Sequence, residues 1–143
     1  RARGLVDNFL ATDLNPAAVE MLNENLAANG ANRDNRFPTE IHDALTLTEN
    51  PNILRQFDVL LMNLPHDTID HLPRLLPLLR QDSPTLLRGW VVLEQKEIPS
   101  TEARLEEIIA SMNPRPNSCK LEIRRQYSTT KVLTRFTSWL GEA

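Results

Sequence analysis

The segment Phe57-Asp-Val-Leu-Leu-Met62, followed at once by Asn63-Leu64-Pro65, is the clearest strand signal in this chain. Apart from Asp58 the segment is a continuous apolar run, which is typical of a strand buried on both faces of a parallel sheet. The residues that follow end the strand, because proline cannot donate to a sheet ladder and asparagine favours turns. The sequence therefore predicts a buried strand with a polar turn at its carboxyl end.

A strand, a tight turn and a helix are predicted upstream, over residues 8–30. The apolar run Asn8-Phe-Leu-Ala-Thr12 predicts the strand. Asn15 is a favourable N-cap, and Pro16 suits the first position of a helix. Gly30 tolerates left-handed backbone and predicts the helix end. The apolar residues between them recur at helical spacing, at Val19, Leu22 and Leu26.

The rest of the chain repeats the alternation of strands and helices. Strands are predicted at 40–44, 89–93, 120–127 and 131–139, a helical turn near 51–56, and a helix that opens at Pro99. A helix over 68–80 is expected to be interrupted by Pro73 and Pro77. This order predicts an α/β fold with helices on both faces of a mostly parallel sheet, closed by a C-terminal antiparallel hairpin.

Composition narrows the class of protein. A length of 143 residues, with 41% hydrophobic and 24% charged residues, predicts a single folded domain over 1–143. No apolar run reaches the roughly 20 residues needed to span a bilayer, and the residues that follow Arg1 do not resemble a secretory signal, so secretion is not expected. Cys119 is the single cysteine, which excludes an internal disulfide. An intracellular protein is expected, most simply a cytoplasmic one, with the nucleus and the mitochondrion as alternatives.

Glycine usage and the first residue point to a longer parent protein. The chain has 4 glycines, too far apart to form a Gly-rich phosphate-binding loop. It begins with Arg1 rather than methionine. We therefore expect an incomplete domain, whose first strand and glycine loop lie upstream. A sheet without its first strand would expose a strand edge, so a homodimer or a partner chain at that edge is predicted.

Positive charge is concentrated in the second half of the chain. Residues 1–71 carry 5 basic and 11 acidic side chains, whereas residues 72–143 carry 11 and 8. The segment 115–135 is the most basic, and Arg124, Arg125 and Lys131 are its candidate contacts to an RNA backbone. A solvated pair of strands is the simpler explanation of this cluster taken alone.

Polar side chains follow three successive predicted strands, at Asp13, Asp43 and Asn63. Ligands of open α/β sheets bind at the carboxyl ends of the strands. There, Asp13 could accept both hydroxyls of a ribose, and Asp43 could accept from an adenine amino group. The Asn63 amide offers a donor and an acceptor to a planar base. Together they predict a nucleoside-binding edge beside a base-holding residue.

Each of these residues also has a simpler structural explanation. The role of Asp13 could be limited to supporting the helix start, and Asn63 could belong to an ordinary turn. Cys119 is expected to pack rather than react, and no serine lies in a nucleophile motif. The histidines lack metal-ligand spacing and are expected on the surface or in structural roles; they are His42, His66 and His71. No metal site is predicted.

Two segments resemble class I S-adenosylmethionine-dependent methyltransferases. Ala11-Thr-Asp-Leu-Asn-Pro-Ala17, with the helix that ends at Asn29, is similar to their second strand and helix. Phe57-Asp-Val-Leu-Leu-Met-Asn-Leu-Pro65 resembles a segment of the archaeal and eukaryotic tRNA (guanine-N1)-methyltransferases and of their wybutosine-pathway relatives. The likeness runs from about residue 8 to 94 and continues weakly through Arg124-Arg-Gln-Tyr127.

The resemblance implies a Rossmann-like methyltransferase sheet and an enzyme that methylates N1 of a tRNA guanine next to the anticodon. S-adenosylmethionine would be its cofactor and tRNA its partner. The implied cofactor residues are Asp13 and Asn15 at the ribose and Asp43 and Ala44 at the adenine. The implied catalytic residues are Asn63, at the target guanine, and Pro65, which fixes the turn. The family's general base lies upstream of the matched segment, so this chain would be the C-terminal part of the catalytic domain.

Two other functions stay open. The wybutosine-pathway relatives transfer the aminocarboxypropyl group of the same cofactor, and the residues that separate the two reactions lie upstream of Arg1. A degenerate domain that binds RNA or a protein through 115–135 is the alternative from a different class.

Overall fold

The structure is a computed structural model that describes residues 8–30, 35–37 and 39–141. The chain divides into two compact units, Arg1–Leu47 and Thr48–Ala143. No helix in the described ranges is both long enough and apolar enough to cross a membrane. The single domain over 1–143 stays a prediction.

Over the residues that the structure describes, the first unit contains one α-helix and a two-stranded parallel sheet. β1 (Thr12–Asp13) pairs with β2 (Glu40–Ile41), and α1 (Pro16–Ala28) follows β1. The helix begins and ends where the sequence predicts. The Asn15 side chain accepts a hydrogen bond from the N–H of Ala17 at 3.0 Å, and Gly30 has a φ of 63°. The predicted strand over 40–44 stops at Ile41, because the Asp43 side chain initiates a 3-10 turn.

The second unit is built on a four-stranded sheet with the order β3-β4-β6-β5. β3 runs parallel to β4, and the pairs β4–β6 and β5–β6 are antiparallel. The strands are β3 (Val59–Met62), β4 (Thr85–Glu94), β5 (Asn117–Gln126) and β6 (Lys131–Leu140); the helices are α2 (Thr68–Leu75) and α3 (Ile98–Met112). The α/β class and the antiparallel C-terminal hairpin are confirmed.

The prediction that residues 57–62 are buried on both faces is wrong. Val59 is 49% exposed and Leu61 is 63% exposed, whereas Met62 is buried. Successive residues of a strand face opposite sides of the sheet, so Val59 and Leu61 share the exposed face. The apolar run predicted the strand correctly. Burial also depends on neighbouring strands, and β3 is an edge strand of its four-stranded sheet.

Proline interrupts the segment 68–80 later than expected. α2 continues through Pro73 and ends at Leu75, where a 3-10 turn with Pro77 follows. A proline inside a helix removes one backbone donor, and the buried Leu72 and Leu75 on either side anchor α2 in the core. The expected break at Pro73 is therefore absent, and the helix stops just before Pro77.

Two glutamates of α3 accept hydrogen bonds from N–H groups on the outer edge of β5. The N–H groups of Cys119 and Leu121 donate to Glu106 at 3.0 Å and to Glu102 at 2.7 Å. Unpaired N–H groups on an edge strand invite pairing with another chain. The two glutamates therefore block strand addition over this part of β5.

Burial makes Cys119 an unreactive thiol, as the sequence predicts. Burial first, and then the carboxylates of Glu106 and Glu102, raise the pKa of the Cys119 thiol from 9.0 to about 12. We expect no labelling by a thiol reagent at pH 8 in the folded chain and rapid labelling once the chain is unfolded in urea. The unfolded thiol ionises near pH 9 while the folded one stays protonated, so the free energy of unfolding should fall between pH 9 and 12. Fast labelling of folded protein at pH 8 would contradict this burial.

Candidate functional site

Asp13 lies at the carboxyl end of β1 and supports the start of α1. Its Oδ1 accepts the N–H of Asn15 at 2.8 Å, and Asn15 in turn caps the helix. Asp13 therefore does support the helix start, as its structural explanation requires. The bond engages one carboxylate oxygen, and the side chain is exposed. The group can therefore also accept hydrogen bonds from a ligand.

Asp43 lies just beyond the neighbouring strand. β1 and β2 are parallel, and the N–H of His42 donates to the backbone oxygen of Asp13 at 3.1 Å. Asp43 Oδ1 accepts the N–H of Leu45 at 2.9 Å, and the 3-10 turn starts at Ala44. The first unit thus brings Asp13, Asp43 and Ala44 to the carboxyl ends of two adjacent parallel strands.

The turn after β3 is held rigidly inside the second unit. The backbone oxygen of Leu64 accepts the N–H of Asp67 at 2.9 Å and both the N–H and the hydroxyl of Thr68 at 2.7 Å. The backbone oxygen of Pro65 accepts the N–H of Val92 at 2.9 Å, which ties the turn to β4. Asn63 is exposed at the start of this turn. Its amide can therefore offer a donor and an acceptor from a fixed backbone.

The basic end of the β5–β6 hairpin lies at the same edge of the sheet as this turn. β3 and β4 are parallel, and β6 begins at Lys131, which is the register partner of Glu94 at the end of β4. Arg125 lies near the end of β5, and Arg124 forms the irregularity just before it. All three basic side chains are exposed. The second unit therefore gathers Asn63, Pro65, Arg124, Arg125 and Lys131 at one edge.

Arg115, the first residue of the basic segment, has a structural role. Its guanidinium donates to the Asn113 side chain at 2.9 Å, to the backbone oxygen of Arg80 at 2.8 Å and to that of Ser83 at 2.5 Å. These bonds join the chain before β4 to the chain before β5. Arg115 is therefore committed to the fold.

Arg135, the last residue of the basic segment, is paired with an acid. It donates to Glu122 at 2.6 Å, and this hydrogen bond lowers the pKa of the Glu122 carboxyl. Lys96 similarly lowers the pKa of Glu94. The exposed basic residues left in the segment are Lys120, Arg124, Arg125 and Lys131.

One feature of this edge was missed by sequence reasoning. His66 Nε2 and the Tyr127 hydroxyl are 3.0 Å apart. Their ring centroids are 5.6 Å apart with an interplanar angle of 70°, an edge-to-face arrangement. The two residues are 61 positions apart in the chain. No local pattern relates them, and only the pairing of strands brings them together.

No cluster of three or more metal-ligating side chains occurs among the residues that the structure describes.

No family model and no curated protein matches the sequence. Solved structures do match it. TYW2 from M. jannaschii, solved in complex with AdoMet, has a TM-score of 0.70 at 17% identity and covers 94% of this chain. Trm5b from Pyrococcus abyssi has a TM-score of 0.69 at 15% identity and covers 95%. A SAM-dependent methyltransferase from Agrobacterium tumefaciens has a TM-score of 0.63 at 15% identity and covers 93%.

The chain spans less than two thirds of these proteins. It covers 58% of the TYW2 chain, 38% of the Trm5b chain and 49% of the Agrobacterium enzyme. The likeness at this level of identity concerns the fold. This chain has the Rossmann-like fold of the class I S-adenosylmethionine-dependent methyltransferases, and its solved neighbours include TYW2 and Trm5b.

Proposed function

We propose that this chain binds S-adenosylmethionine and, as part of a larger protein, transfers its methyl group to N1 of a tRNA guanine next to the anticodon. The observation that carries the proposal is the Asn63-Leu64-Pro65 turn. It stands at the carboxyl end of a parallel strand and is tied to β4 by the bond from Val92 to Pro65, in a methyltransferase fold. Ligands of such sheets bind outside those strand ends.

The cofactor part of the proposal rests on the acids of the first unit. A nucleoside presents two ribose hydroxyls and an adenine amino group, all of which donate hydrogen bonds. Asp13 is exposed with one oxygen engaged by a backbone N–H, and it would hold the ribose beside Asn15. Asp43 and Ala44, at the next strand end, would hold the adenine. The donor set of the nucleoside therefore fits the acceptors that these residues offer.

The base-recognition part rests on Asn63 and Pro65. The amide of Asn63 would hydrogen-bond the edge of guanine, and Pro65 would keep the turn in place. When bound, S-adenosylmethionine supplies an electrophilic methyl group on sulfur. Guanine N1, once a general base has taken its proton, would accept that methyl group, and S-adenosylhomocysteine would be the leaving product. The work of Asn63 is orientation, which contributes through fixed geometry rather than proton transfer.

The test is a calorimetric titration of S-adenosylmethionine and S-adenosylhomocysteine into the chain, with two variants of Asp13. Asp13→Asn keeps an oxygen for the N–H of Asn15 but removes the carboxylate, whereas Asp13→Ala removes both. We expect both variants to lose binding by about tenfold or more, because hydrogen bonds to a charged group contribute about 1.5–3 kcal/mol. Full affinity in Asp13→Asn would show that Asp13 only supports the helix and would contradict its role at the ribose.

Aminocarboxypropyl transfer is the second candidate, since TYW2 structures are among the solved neighbours. Mass analysis of the modified RNA separates the two reactions, because the two added groups differ in mass. RNA binding without catalysis is the third candidate, and the exposed residues Arg124, Arg125 and Lys131 favour it. Reversal of these three charges should remove RNA affinity in every case. A partner chain at a sheet edge stays a prediction.

A further inference from the structure

We propose that His66 and Tyr127 form a stacking platform for an unpaired RNA nucleobase beside the guanine that Asn63 would hold. The inference rests on the proposed function for the identity of the neighbouring base, but the platform itself is a separate binding element. Nothing in the sequence marks either residue as a ligand contact.

The two rings are exposed and yet held in a defined arrangement. Tyr127 is 47% exposed, and His66 is exposed as well. The hydrogen bond between His66 Nε2 and the Tyr127 hydroxyl, at 3.0 Å, and the edge-to-face contact hold the rings relative to one another. The Tyr127 N–H also donates to the backbone oxygen of Lys131 at 2.9 Å. An aromatic surface that is ordered before binding loses little entropy when a ligand stacks on it.

The surroundings favour RNA as the occupant. His66 lies directly after Pro65, in the turn that Asn63 begins. Tyr127 lies in the hairpin end that carries Arg124, Arg125 and Lys131. Proteins that bind single-stranded nucleic acid combine such cations for the backbone with aromatic rings for the bases. Sequence-specific recognition of RNA also targets splayed loop bases that stack on tyrosine or histidine.

The experiment uses the whole chain and a short RNA hairpin with 2-aminopurine in its loop, whose fluorescence reports stacking. Tyr127→Ala is expected to weaken binding of the RNA hairpin about 5- to 160-fold, the range for loss of one base–aromatic stack, and to abolish the fluorescence change. Tyr127→Phe should keep most of both, because it keeps the ring. His66→Ala should weaken binding by less than Tyr127→Ala.

The β5–β6 hairpin of the protein also supplies a matched control. Trp139 is 45% exposed and lies at the opposite end of β6, so Trp139→Ala should bind the RNA as the unaltered chain does. A fully paired RNA duplex should show no dependence on Tyr127. Circular dichroism establishes that each variant is folded.

Three results would overturn the platform. They are unchanged RNA affinity in Tyr127→Ala or His66→Ala, an equal loss in Tyr127→Phe and Tyr127→Ala, and no binding of the hairpin by the unaltered chain. The outcome is separable from that of the proposed function. Cofactor binding with RNA affinity independent of Tyr127 removes the platform alone, whereas Tyr127-dependent stacking without cofactor binding removes the proposed methyl transfer alone.

Discussion

Replacing Asn63 with alanine is expected to lower turnover about 10²- to 10³-fold in the complete protein, the size of effect seen when one preorganised donor is removed from a reaction site. The reason is geometric. The turn that carries Asn63 is fixed by three hydrogen bonds to the oxygen of Leu64 and by one from Val92 to Pro65. The backbone that carries the amide would therefore need little reorganisation when a base binds. The measurement is single-turnover methyl transfer to tRNA.

The fold should survive this change, because Asn63 is exposed. Asn63→Asp keeps one acceptor and loses the donor, so it should also be slow. Asn52→Ala is the matched control, since Asn52 is an exposed asparagine of the same unit, and it should leave turnover unchanged. Turnover of Asn63→Ala equal to that of the control would remove Asn63 from the reaction site.

Local signals predicted the helix and turn positions well. Asn15, Pro16 and Gly30 act on neighbours within a few residues, and α1 begins and ends where they place it. Asn50 likewise caps the short turn Pro51–Ile53. These effects depend on side-chain caps and backbone geometry within a few residues. Helix caps and helix ends can therefore be predicted from a single sequence.

Burial and pairing were less predictable, because they depend on residues far away in the chain. Val59 and Leu61 belong to an apolar run, yet they are exposed on an edge strand. Arg115 and Arg135 belong to a basic run, yet Arg115 donates to backbone oxygens and Arg135 donates to Glu122. The sequence showed a cluster of charge, and only the folded chain separates the structural cations from the exposed ones.

The candidate site divides in the same way. Asp13 and Asp43 could be proposed from their positions after strands, and their strands are indeed adjacent and parallel. The pair of His66 and Tyr127 could not, because its members meet only through the register of β4, β5 and β6. Sequence patterns thus identified the helix caps and the polar residues that follow strands, whereas contacts between distant ends need the topology.

Truncating Phe136 to alanine is expected to be among the most destabilising single changes in the second unit. Phe136 is 0% exposed in the middle of β6, and its register partner on β4 is Gly89. Loss of a buried phenylalanine typically costs about 3–5 kcal/mol. Urea unfolding followed by circular dichroism measures the change, and Phe136→Leu serves as a milder variant where Phe136→Ala does not fold.

Gly89 is a glycine because the Phe136 ring occupies the space of a side chain there. A Cβ on Gly89 would lie 2.4 Å from Phe136 Cε1 and 3.2 Å from the backbone oxygen of Met62. Gly89→Ala should therefore destabilise the unit by about 1–3 kcal/mol through overpacking. The crowded Met62 precedes Asn63 directly, so the strain would also reach the turn.

The two positions should be coupled, and a double-mutant cycle measures the coupling. In the Gly89→Ala background the ring of Phe136 is already displaced, so Phe136→Leu should cost less there than in the unaltered chain. Coupling between contacting residues is typically about 0.5–3 kcal/mol. Additive costs would mean that the methyl group of Gly89→Ala does not disturb the packing of the Phe136 ring. The cycle thus decides whether the Phe136 ring and the missing side chain of Gly89 form one packing unit across β4 and β6.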